Sequence, residues 1–532
     1  MKKIMATLII LFMTATLVFA TGGWERDSDT SSGAPVKITV ELFNRGTDGG
    51  RTQADNNAWT QWIREKVLKD LNIDINFFLV GRFAEETEIV NLMAAGSAPD
   101  LCYTYNQDMI AQYRDSGGIL NLAPFVDRFL PDMKNLLGED PAISGMDFIY
   151  RDIMPDGKMY SIPSYRVALA QRNTFIRKDW LDKLGLPLPK TTQEFYNALV
   201  AFRDKDPGNV GKDNVIPYGQ DDDTRWGLSN IIRSFVDPYM SDRDRYVYIA
   251  AERYFAFPGY KEGVRLINQW YNEGLIYRDF AQMKRTTSDF ANLLKTGRVG
   301  AFGGNWDYPY RTDYKILEDL RRNVPGSDFV PVDCFQSSDG VAHKDLMDKQ
   351  GLRIFVPSNS KNKEAALRYL NWLCIRENYH FLQVGREGVN HNIVNGVPSI
   401  IARPANDPWF QNSSQNIDFT MPINGVEMGS PELNARVLAF SYPGIPPDVI
   451  VNAYHLATAN AFTPVVVNVP TFQGGIYGTT LLSKGDVLLA QSITAPPIEF
   501  DRTWDALFAD WMRSGGQAII DERAAIAGTI WP

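Results

Sequence analysis

A regular alternation of strand and helix patterns near the start of the chain constrains the fold more than any other feature. Strands are predicted over Val36–Phe43, Ile73–Val80 and Pro99–Tyr105, and helices over Trp59–Leu71, Thr87–Ala95 and Met109–Gly117. Strands that alternate with helices form a parallel sheet with helices on both faces. We therefore predict an α/β fold with a ligand site outside the carboxyl ends of the strands.

Three polar residues near these predicted strand ends are candidates for ligand contacts. Asn44 and Arg45 follow the first strand, and Asp100 belongs to the third. Polar side chains at such ends can bind a ligand, but the same residue types are common in ordinary loops. Both interpretations stay open for each of the three.

Extended and helical segments alternate again in the middle of the chain. Strands are predicted over Lys158–Pro163, Val167–Arg177, Asp328–Phe335 and Gly351–Val356, and helices over Asp179–Leu184, Gln193–Arg203, Gly259–Gly274 and Lys363–Leu373. Beyond Pro398 the pattern loosens into long loops rich in proline and asparagine. Two closing helices follow, over Asp501–Met512 and Gln517–Ala525.

Length and charge limit the number of domains and the classes of partner. The 532 residues exceed a single core and predict two to four domain-sized units. The formal net charge is −9, and it becomes −11 when Lys2 and Lys3 are lost with a leader. This charge argues against nucleic acid or an anionic membrane surface as the partner. It also disfavours a polyanionic ligand, unless a local basic cleft overrides it.

Residues 1–20 have the pattern of a secretory signal peptide. Two lysines precede the apolar run Ile4–Phe19, and Val18 and Ala20 place small side chains at the cleavage positions. An uncleaved membrane anchor is the alternative. The polar segment 21–35 is predicted to be a disordered tether.

The cysteine pattern indicates a soluble exported protein without a lipid anchor. The first cysteine is Cys102, so no lipid-acceptor cysteine follows the leader. Together with Cys334 and Cys374 it allows at most one disulfide, and the spacing favours three buried thiols. We expect a periplasmic protein, because a freely diffusing exported protein needs an outer membrane to retain it.

The stretch Leu293–Arg311 has the composition of a sugar site. A short apolar strand ends at Gly303 and Gly304, which let the backbone approach another molecule closely. Aromatic and hydrogen-bonding side chains then interleave: Asn305, Trp306, Asp307, Tyr308, Tyr310 and Arg311. Flat rings beside polar groups suit a ligand with an apolar face and a rim of hydroxyls. A buried turn with Trp306 in the core is the alternative.

Six segments together resemble the oligosaccharide-binding family of bacterial solute-binding proteins, which serve ABC importers and include maltose-binding protein. The long branch with the alginate-binding and LipO-like proteins is the most similar. The segments are NLMAAGSAPDLCYT (91–104), GGILNLAPFVD (117–127), GKMYSIPSYRVALAQRNTFIRKDWLDKLGLPLPKTTQEF (157–195), YKEGVRLINQWYNEGLIYRDFA (260–281), GRVGAFGGNW (297–306) and KNKEAALRYLNWL (361–373). They span nearly the whole mature chain in family order.

The resemblance implies two α/β lobes joined by crossing strands, with a ligand cleft that shuts by hinge motion. We place the first lobe at 36–162 plus 335–395 and the second at 163–334 plus 396–532. The resemblance puts the family's stacking aromatic on Trp306. Further candidate contacts are Tyr308, Tyr310, Asn305, Trp226, Tyr165, Arg166, Arg45, Trp59, Trp409 and Tyr442. A structural role is the alternative for each of these.

A calcium loop of the long branch is altered here. At Asp206–Pro217 the chain reads DPGNVGKDNVIP, where relatives read D-P-N-G-N-G-K-x-D-E-I-P. Asp206 keeps the first ligand, the carbonyl of Lys212 is available, and Asn214 replaces an aspartate. Calcium takes about six to eight oxygen ligands, so we predict that the loop keeps its turn without the ion and that the protein needs no cofactor. A bound calcium ion is the alternative.

The family implies a monomeric periplasmic receptor that captures an oligosaccharide and delivers it to an ABC permease, without catalysis. A secreted carbohydrate-active enzyme is one alternative, because Asp221, Asp222 and Asp223 lie beside Trp226 and glycosidases use two carboxylates. A receptor for a peptide or another organic solute is the other. The positions of Arg45, Arg166, Arg225 and Arg311 also leave an acidic sugar open.

Overall fold

The computed structural model describes residues 33–45, 53–82, 84–140, 146–404, 406–410, 413–467, 469 and 471–531. The predicted leader and nearly all of the predicted tether lie outside these residues, so both stay predictions. In the described part of the chain, no helix has the length and apolar character needed to cross a membrane. All three cysteines are free and buried, as the spacing predicted.

Sixteen strands occur in the described residues. They are β1 Val36–Asn44, β2 Ile73–Gly81, β3 Cys102–Thr104, β4 Glu139–Asp140, β5 Met146–Asp147, β6 Ile162–Arg166, β7 Arg172–Arg177, β8 Ile216–Gly219, β9 Val299–Asn305, β10 Phe329–Val332, β11 Lys344–Asp345, β12 Gln350–Phe355, β13 His391–Val394, β14 Val397–Ile400, β15 Ile423–Asn424 and β16 Ala461–Phe462.

Helices of the described residues pack against strands of both main sheets. They are α1 Ala58–Leu71, α2 Glu85–Ala94, α3 Gln107–Asp115, α4 Val126–Phe129, α5 Pro131–Leu137, α6 Lys178–Leu184, α7 Thr192–Lys205, α8 Thr224–Gly227, α9 Ser229–Arg233, α10 Asp242–Val247, α11 Tyr260–Asn272, α12 Asp289–Leu294, α13 Ile316–Asn323, α14 Lys363–Trp372, α15 Arg376–Val384, α16 Ser413–Phe419, α17 Pro431–Ala439, α18 Pro447–Thr458, α19 Phe472–Thr494, α20 Phe500–Trp511 and α21 Gln517–Ile530.

The first sheet places the carboxyl ends of most of its strands along one edge. Strand β1 pairs in parallel with β2, and a parallel bridge between Val40 and Leu101 sets β3 beside β1. Strand β12 pairs antiparallel with β3 and with β6, and β15 runs parallel to β6. The strands β1, β2, β3, β6 and β15 therefore end on the same edge, and β12 begins there.

The second sheet has the order β10-β7-β9-β8. Strands β8 and β9 are parallel, and β7 runs antiparallel to both β9 and β10. The carboxyl ends of β8, β9 and β10 therefore share an edge with the start of β7. The chain leaves the first sheet at Arg166 and enters the second at Arg172, so the two edges face each other across that short crossing.

Three crossing segments lie side by side between the sheets. The amide of Met347 donates to the carbonyl of Leu169 at 2.8 Å, and the amide of Arg166 donates to Lys349 at 2.7 Å. The amide of Val167 donates to the carbonyl of Asn424 at 2.9 Å. The chain thus passes between the sheets around residues 167–171, 333–349 and after 424, and these segments are tied to one another by backbone hydrogen bonds.

Each sheet has its own buried apolar core. The first core gathers side chains of β1, β2, β6, β12, α1 and α14, and it includes Phe419 and Met421. The second core surrounds α7, α11, α19 and α20, and a third cluster fills the space between β9 and α18. The predicted lobe bounds stay a prediction, but the packing of Phe419 and Met421 favours giving the segment 396–424 to the first lobe.

Most of the predicted elements form within a few residues of their expected bounds, and local capping explains several of them. Helix α1 begins after Asn57, whose side chain accepts from the amides of Trp59 and Thr60. Helix α7 begins after Thr191, whose hydroxyl accepts from the amide of Glu194 at 3.1 Å.

Three expectations about the elements were wrong. Residues 158–161 are not in a strand, because β6 begins only at Ile162, and residues 167–171 cross between the sheets instead of continuing a strand. The region beyond Pro398 contains four helices before the closing pair, among them the 23-residue α19. Its glycines weaken the sequence signal for a helix.

Candidate functional site

Charged and aromatic side chains occupy the edge where the parallel strands of the first sheet end. Arg45 follows β1, Arg82 follows β2 and Tyr105 follows β3. The guanidinium carbon of Arg82 lies 4.3 Å from the centre of the Tyr105 ring and 5.1 Å from that of Phe43. The rings of Phe43 and Tyr105 stack with centroids 6.2 Å apart. This edge therefore presents a cluster of cations and rings.

Arg45 lies at this edge, as predicted, but a buried carboxylate holds its side chain. Its Nε is 2.5 Å from Asp418 Oδ2 and its Nη2 is 2.7 Å from Asp418 Oδ1. Asp418 is 2% exposed. A two-pronged pair of this kind fixes the guanidinium plane, so Arg45 is a rigid part of the wall.

The facing edge of the second sheet brings together Trp226, Asn305 and Arg172. Asn305 ends β9 and is the register partner of Arg172, which begins β7. The indole Nε1 of Trp226 donates to Asn305 Oδ1 at 2.8 Å. The guanidinium carbon of Arg172 lies 4.1 Å from the centre of the Trp226 ring. Trp226 and Asn305 are both half-buried, so a ring and an amide stand together at the edge.

The three consecutive aspartates before Trp226 hold its loop in place. Asp223 Oδ1 accepts from the amide of Trp226 at 3.2 Å and caps α8, and Asp221 Oδ1 accepts from the amide of Asp223 at 3.0 Å. Asp222 accepts from the amide of Arg285 at 2.8 Å, and the Arg285 guanidinium lies 3.3 Å from Asp223. Burial, with the neighbouring aspartates, raises the pKa of Asp221 to about 7.

The glycine pair after β9's apolar residues also serves this loop. A Cβ added to Gly303 would lie 1.9 Å from the carbonyl oxygen of Gly227, the last residue of α8. The close approach that Gly303 permits is therefore to the chain's own backbone. It seats α8, and with it Trp226, directly on β9.

Charges on the two edges influence one another across the gap. Arg225 Nη1 donates to Glu252 Oε2 at 2.5 Å on the second side. The pKa of Glu252 is lowered: desolvation opposes the shift, Arg225 outweighs it, and Arg82 from the first edge contributes. The short crossing between β6 and β7 sets the two edges opposite each other as the walls of one cleft, and this electrostatic influence agrees with that placement.

Trp306, the predicted stacking platform, is only 6% exposed. Its ring meets Tyr454 and Tyr442 edge-on, with centroids 5.3 and 6.0 Å apart, and its amide donates to Gln171 at 3.2 Å. The hydroxyl of Tyr442 donates to Asp307 Oδ2 at 2.7 Å. This packing favours the alternative interpretation, in which Trp306 belongs to the core. Tyr442 lies in the same buried cluster as Trp306.

The two tyrosines that follow Trp306 have different surroundings. Tyr310 is 4% exposed and packs edge-on against Phe175, so it belongs to the core. Tyr308 is half-buried, and its ring centroid lies 5.0 Å from that of Tyr314. Burial raises the pKa of Tyr308, and so does the charge of the cleft residue Asp221. Tyr308 is thus the one of the pair near the cleft.

Tyr165 and Arg166 end β6, next to the crossing between the walls, and their contact with a ligand stays a prediction. The amide of Tyr165 donates to the carbonyl of Pro422 at 2.8 Å, and its ring meets Phe148 edge-on at 5.5 Å. The guanidinium of Arg166 donates through Nη1 to the carbonyls of Asp348 at 2.6 Å and Gln350 at 3.3 Å.

Two further candidates, Trp59 and Trp409, contact each other in the first core. Their rings meet edge-on with centroids 5.1 Å apart, and Trp59 Nε1 donates to the carbonyl of Phe410 at 3.0 Å. Trp59 is 3% exposed.

The expected position of Asp100 was wrong, because it precedes β3 instead of following it. One carboxylate oxygen accepts from the amide of Thr39 in the middle of β1 at 2.9 Å, and the other accepts from the hydroxyl of Ser360 at 2.6 Å. Asp100 therefore ties β1 to the segment before α14, on the side of the sheet away from the cleft.

The altered calcium loop uses its own ligands internally. Both carboxylate oxygens of Asp206 accept backbone amides, from Val210 at 3.0 Å and from Gly211 at 2.8 Å. The amide nitrogen of Asn214 donates to the carbonyl of Val210 at 2.9 Å. Within the described residues no group of three or more His, Cys, Asp or Glu side chains is placed to hold a metal ion. The donor set here fits calcium poorly.

Three residues of the cleft were not predicted from the sequence: Arg82, Tyr105 and Arg172. Each follows or begins a strand at the ligand edge, as Arg45 does. The signal was therefore present for Arg82 and Tyr105, because Arg82 lies two residues beyond the predicted second strand and Tyr105 ends the predicted third. For Arg172 the sequence held no signal, since the crossing that precedes it was taken for part of a strand.

Comparison with known proteins gives matches at the level of both sequence and fold. A family model described as bacterial extracellular solute-binding protein matches residues 52–374. The fructooligosaccharide ABC transporter substrate-binding protein FusA of Streptococcus pneumoniae serotype 4 is 25% identical over 335 residues, 58% of this chain and 56% of that protein. The lipoprotein LipO of Bacillus subtilis strain 168 is 22% identical over 422 residues, 76% of each chain.

A crystal structure of alginate-binding protein AlgQ2 without calcium ion has the same fold. It matches with a TM-score of 0.69 and 18% identity, over 93% of this chain and 98% of that one. The predicted two-lobe α/β fold with an interlobe cleft is thereby confirmed. The match to FusA spans little more than half of that protein's length.

Proposed function

Because this chain belongs to the family of bacterial extracellular solute-binding proteins, as its segments predicted, we propose that it captures an oligosaccharide between its lobes and delivers it to the permease of an ABC importer. The observation that carries the proposal is the pair of facing edges. One wall supplies Trp226 and Asn305, and the other supplies Arg82 and Tyr105. Between them the crossing segments form a narrow hydrogen-bonded floor.

An oligosaccharide fits this arrangement better than a peptide does. The half-buried ring of Trp226 offers an apolar surface, and its own N–H is directed to Asn305. Sugar rings stack on such surfaces while their hydroxyls need polar partners on all sides. FusA is named for a fructooligosaccharide and AlgQ2 for alginate, which supports a carbohydrate here without choosing its charge.

Binding without catalysis is the second part of the proposal. A glycosidase would have to use the acids Asp221, Asp222 and Asp223. Asp221 accepts an amide of its own loop, and Asp222 and Asp223 contact the amide and the guanidinium of Arg285. A glycosidase needs two carboxylates on opposite sides of the scissile bond. Three carboxylates on one loop, engaged in holding Trp226, support a receptor instead.

Delivery to a permease depends on the closed form. Closure brings both walls onto the ligand at once, and a ligand that contacts both lobes shifts the population towards that form. We propose that the protein acts as a monomer in the periplasm. Cleavage of the leader and the lack of a lipid anchor both depend on residues outside the described part of the chain. Both stay predictions.

A thermal-shift screen of residues 21–532 against neutral and acidic oligosaccharides tests the receptor. A ligand that binds only the folded state stabilises it in proportion to the logarithm of ligand concentration over Kd, and the melting temperature rises accordingly. At a concentration of 100 times Kd the stabilisation is about 2.7 kcal/mol. We expect a clear shift with at least one oligosaccharide, and recovery of the sugar intact. Cleavage of the sugar would move the assignment to an enzyme, and shifts with peptides alone would change the ligand class.

Calcium removal is expected to leave the protein unchanged. Asp206 already accepts two backbone amides, which an ion would have to displace. We expect that excess chelator moves the melting temperature by less than about one degree, and that added calcium does the same. A chelator-dependent drop of several degrees, reversed by calcium, would show that the loop holds the ion after all.

A further inference from the structure

Arg172 differs from the other buried arginines of this protein. Five arginines in the described residues are buried: Arg151, Arg172, Arg177, Arg233 and Arg253. Four of them have a carboxylate within 4 Å. The pairs are Arg151 with Asp348, Arg177 with Asp179, Arg233 with Asp345, and Arg253 with Asp486. Arg172 is buried as well, with only 8% of its surface exposed. Among the described residues, however, it has no carboxylate within 4 Å.

The surroundings of Arg172 satisfy its guanidinium only in part. Its Nη1 donates to the hydroxyl of Ser229, and the group lies 4.1 Å from the centre of the Trp226 ring. Its Nε is buried and has no hydrogen-bond partner among the described residues. An aromatic face and one hydroxyl stabilise a cation far less than a carboxylate does. Desolvation accordingly lowers the pKa of Arg172, and Arg225 adds to that effect, while Tyr254 and the more distant carboxylates of Asp345 and Asp223 oppose it.

A second guanidinium stands at the other end of the same crossing. Arg166 ends β6 and Arg172 begins β7, so the two arginines flank residues 167–171 on the floor of the cleft. The Nη1 of Arg166 donates to two backbone carbonyls, and no carboxylate lies within 4 Å of it in the described part of the chain. Burial lowers the pKa of Arg166 as well. Carboxylates such as Asp345 and Asp348 act on these two guanidinium groups only from farther away. The floor thus carries two positive charges without a direct ion pair among the described residues.

Buried charges in proteins are normally paired, because an unpaired one loses its hydration without replacement. The missing partner of Arg172 therefore belongs to something that enters the cleft. Arginine's planar fork matches a carboxylate through two parallel hydrogen bonds. The ring of Trp226 beside it would hold the sugar that bears this carboxylate.

We propose that the protein selects acidic oligosaccharides, and that Arg172 binds the carboxylate of a uronic acid residue stacked at Trp226. This inference rests on the proposed receptor function and names its substrate class. It also runs against the overall charge of −9, which by itself disfavours an anionic ligand. Local charge decides, because surface charges farther away than about 8–10 Å are screened at physiological salt.

The test compares each acidic sugar with its own neutral form. Calorimetry would measure the binding of uronate trisaccharides (galacturonate, glucuronate and mannuronate), their methyl esters and the matching neutral trisaccharides. The wild type is expected to bind at least one uronate about tenfold or more tighter than its ester, since a bidentate pair distinguishes a carboxylate from an ester. Arg172→Met keeps the aliphatic stem against Trp226 and is expected to abolish that preference.

Two more variants separate recognition from folding and from bulk charge. Arg172→Lys keeps the charge but loses the fork, so it should retain part of the preference. Arg243→Met removes the same charge from an exposed position on α10 and should leave the preference unchanged. Melting temperatures verify that each variant is folded.

The outcomes separate the inference from the function on which it rests. If the wild type binds neutral sugars or esters as tightly as uronates, the inference is wrong and the receptor stands. If the wild type prefers a uronate over its ester and Arg172→Met keeps that preference, another residue recognises the carboxylate and the role proposed for Arg172 is wrong. If no sugar binds in any form, both the inference and the oligosaccharide receptor fail.

Discussion

Replacing Trp226 by alanine is expected to weaken binding of the cognate oligosaccharide by about 30-fold or more, with little change in the protein's stability. A tryptophan at the centre of an interface typically contributes at least about 2 kcal/mol to binding, and each 1.4 kcal/mol is about tenfold in Kd. Trp226 is half-buried, and its N–H is fixed by Asn305 at 2.8 Å. The loss of the ring also frees the Arg172 guanidinium that lies against it. Calorimetry with a ligand from the screen measures the change.

Trp62→Ala is the matched control for Trp226→Ala. Trp62 is also half-buried, but its ring packs between Trp372 and Phe381 within the first core region, at centroid distances of 5.8 and 4.2 Å. It should leave the affinity unchanged while lowering the melting temperature. Equal losses of affinity in the two variants would mean that Trp226 acts through folding and not through contact with the sugar.

Replacing Trp306 by alanine is expected to destabilise the protein by about 3–5 kcal/mol, the usual cost of removing a buried aromatic side chain. Its ring is 6% exposed and lies edge-on to Tyr454 and Tyr442, on the helix α18 and the segment before it. The cavity would also loosen the support of Gln171, whose carbonyl accepts from the amide of Trp306. Thermal unfolding followed by circular dichroism should show a melting temperature lower by several degrees.

Tyr239→Ala provides the comparison for a surface aromatic, because Tyr239 is 77% exposed. It should change stability by no more than about 0.5 kcal/mol. The stacking role that the resemblance implied for Trp306 would instead give lost binding at unchanged stability. That result in Trp306→Ala would restore its role as a stacking platform and would contradict the burial argument.

The two tryptophans show how far sequence reasoning reaches at the site. Trp306 directly follows β9 and its glycine pair, whereas Trp226 lies in the short helix α8 after three aspartates. In both cases polar and small residues surround the ring in the sequence, so the local pattern cannot tell which ring faces solvent. The packing of α18 over one of them decides, and α18 is about 140 residues away in the chain.

The sequence predicted the position of a residue at a strand end correctly where only local structure determines that position. Arg45 lies at the ligand edge because β1 ends at Asn44, and that end follows from the hydrophobic pattern of nine residues. Its partner Asp418 could not be foreseen, because the two residues meet only after the chain has returned to the first core. Asp100 was misplaced for a similar reason: its partners Thr39 and Ser360 lie on other elements.

Helix α19 shows the same limit for secondary structure. Its residues include Gly474, Gly478 and Gly485, which lower helix propensity and hid the helix from the sequence pattern. In the fold a Cβ at Gly474 would lie 2.2 Å from Asp108 Oδ2, and one at Gly485 would lie 2.6 Å from Arg253 Nε. The glycines thus permit close packing against α3 and against a buried arginine. The need for glycine at these positions arises only from contacts in the tertiary structure.

By itself, the sequence determined the α/β class, the alternation of strands and helices in the first part of the chain, the free buried cysteines and the segments that mark the family. These depend on hydrophobic period, on helix caps such as Asn57 and Thr191, and on motif order, which are all local properties of the chain. The tertiary structure alone decided which rings and guanidinium groups line the cleft. Burial and the lack of a carboxylate beside Arg172 are properties of neighbours that are distant in sequence, and those neighbours are set only when the two sheets face each other.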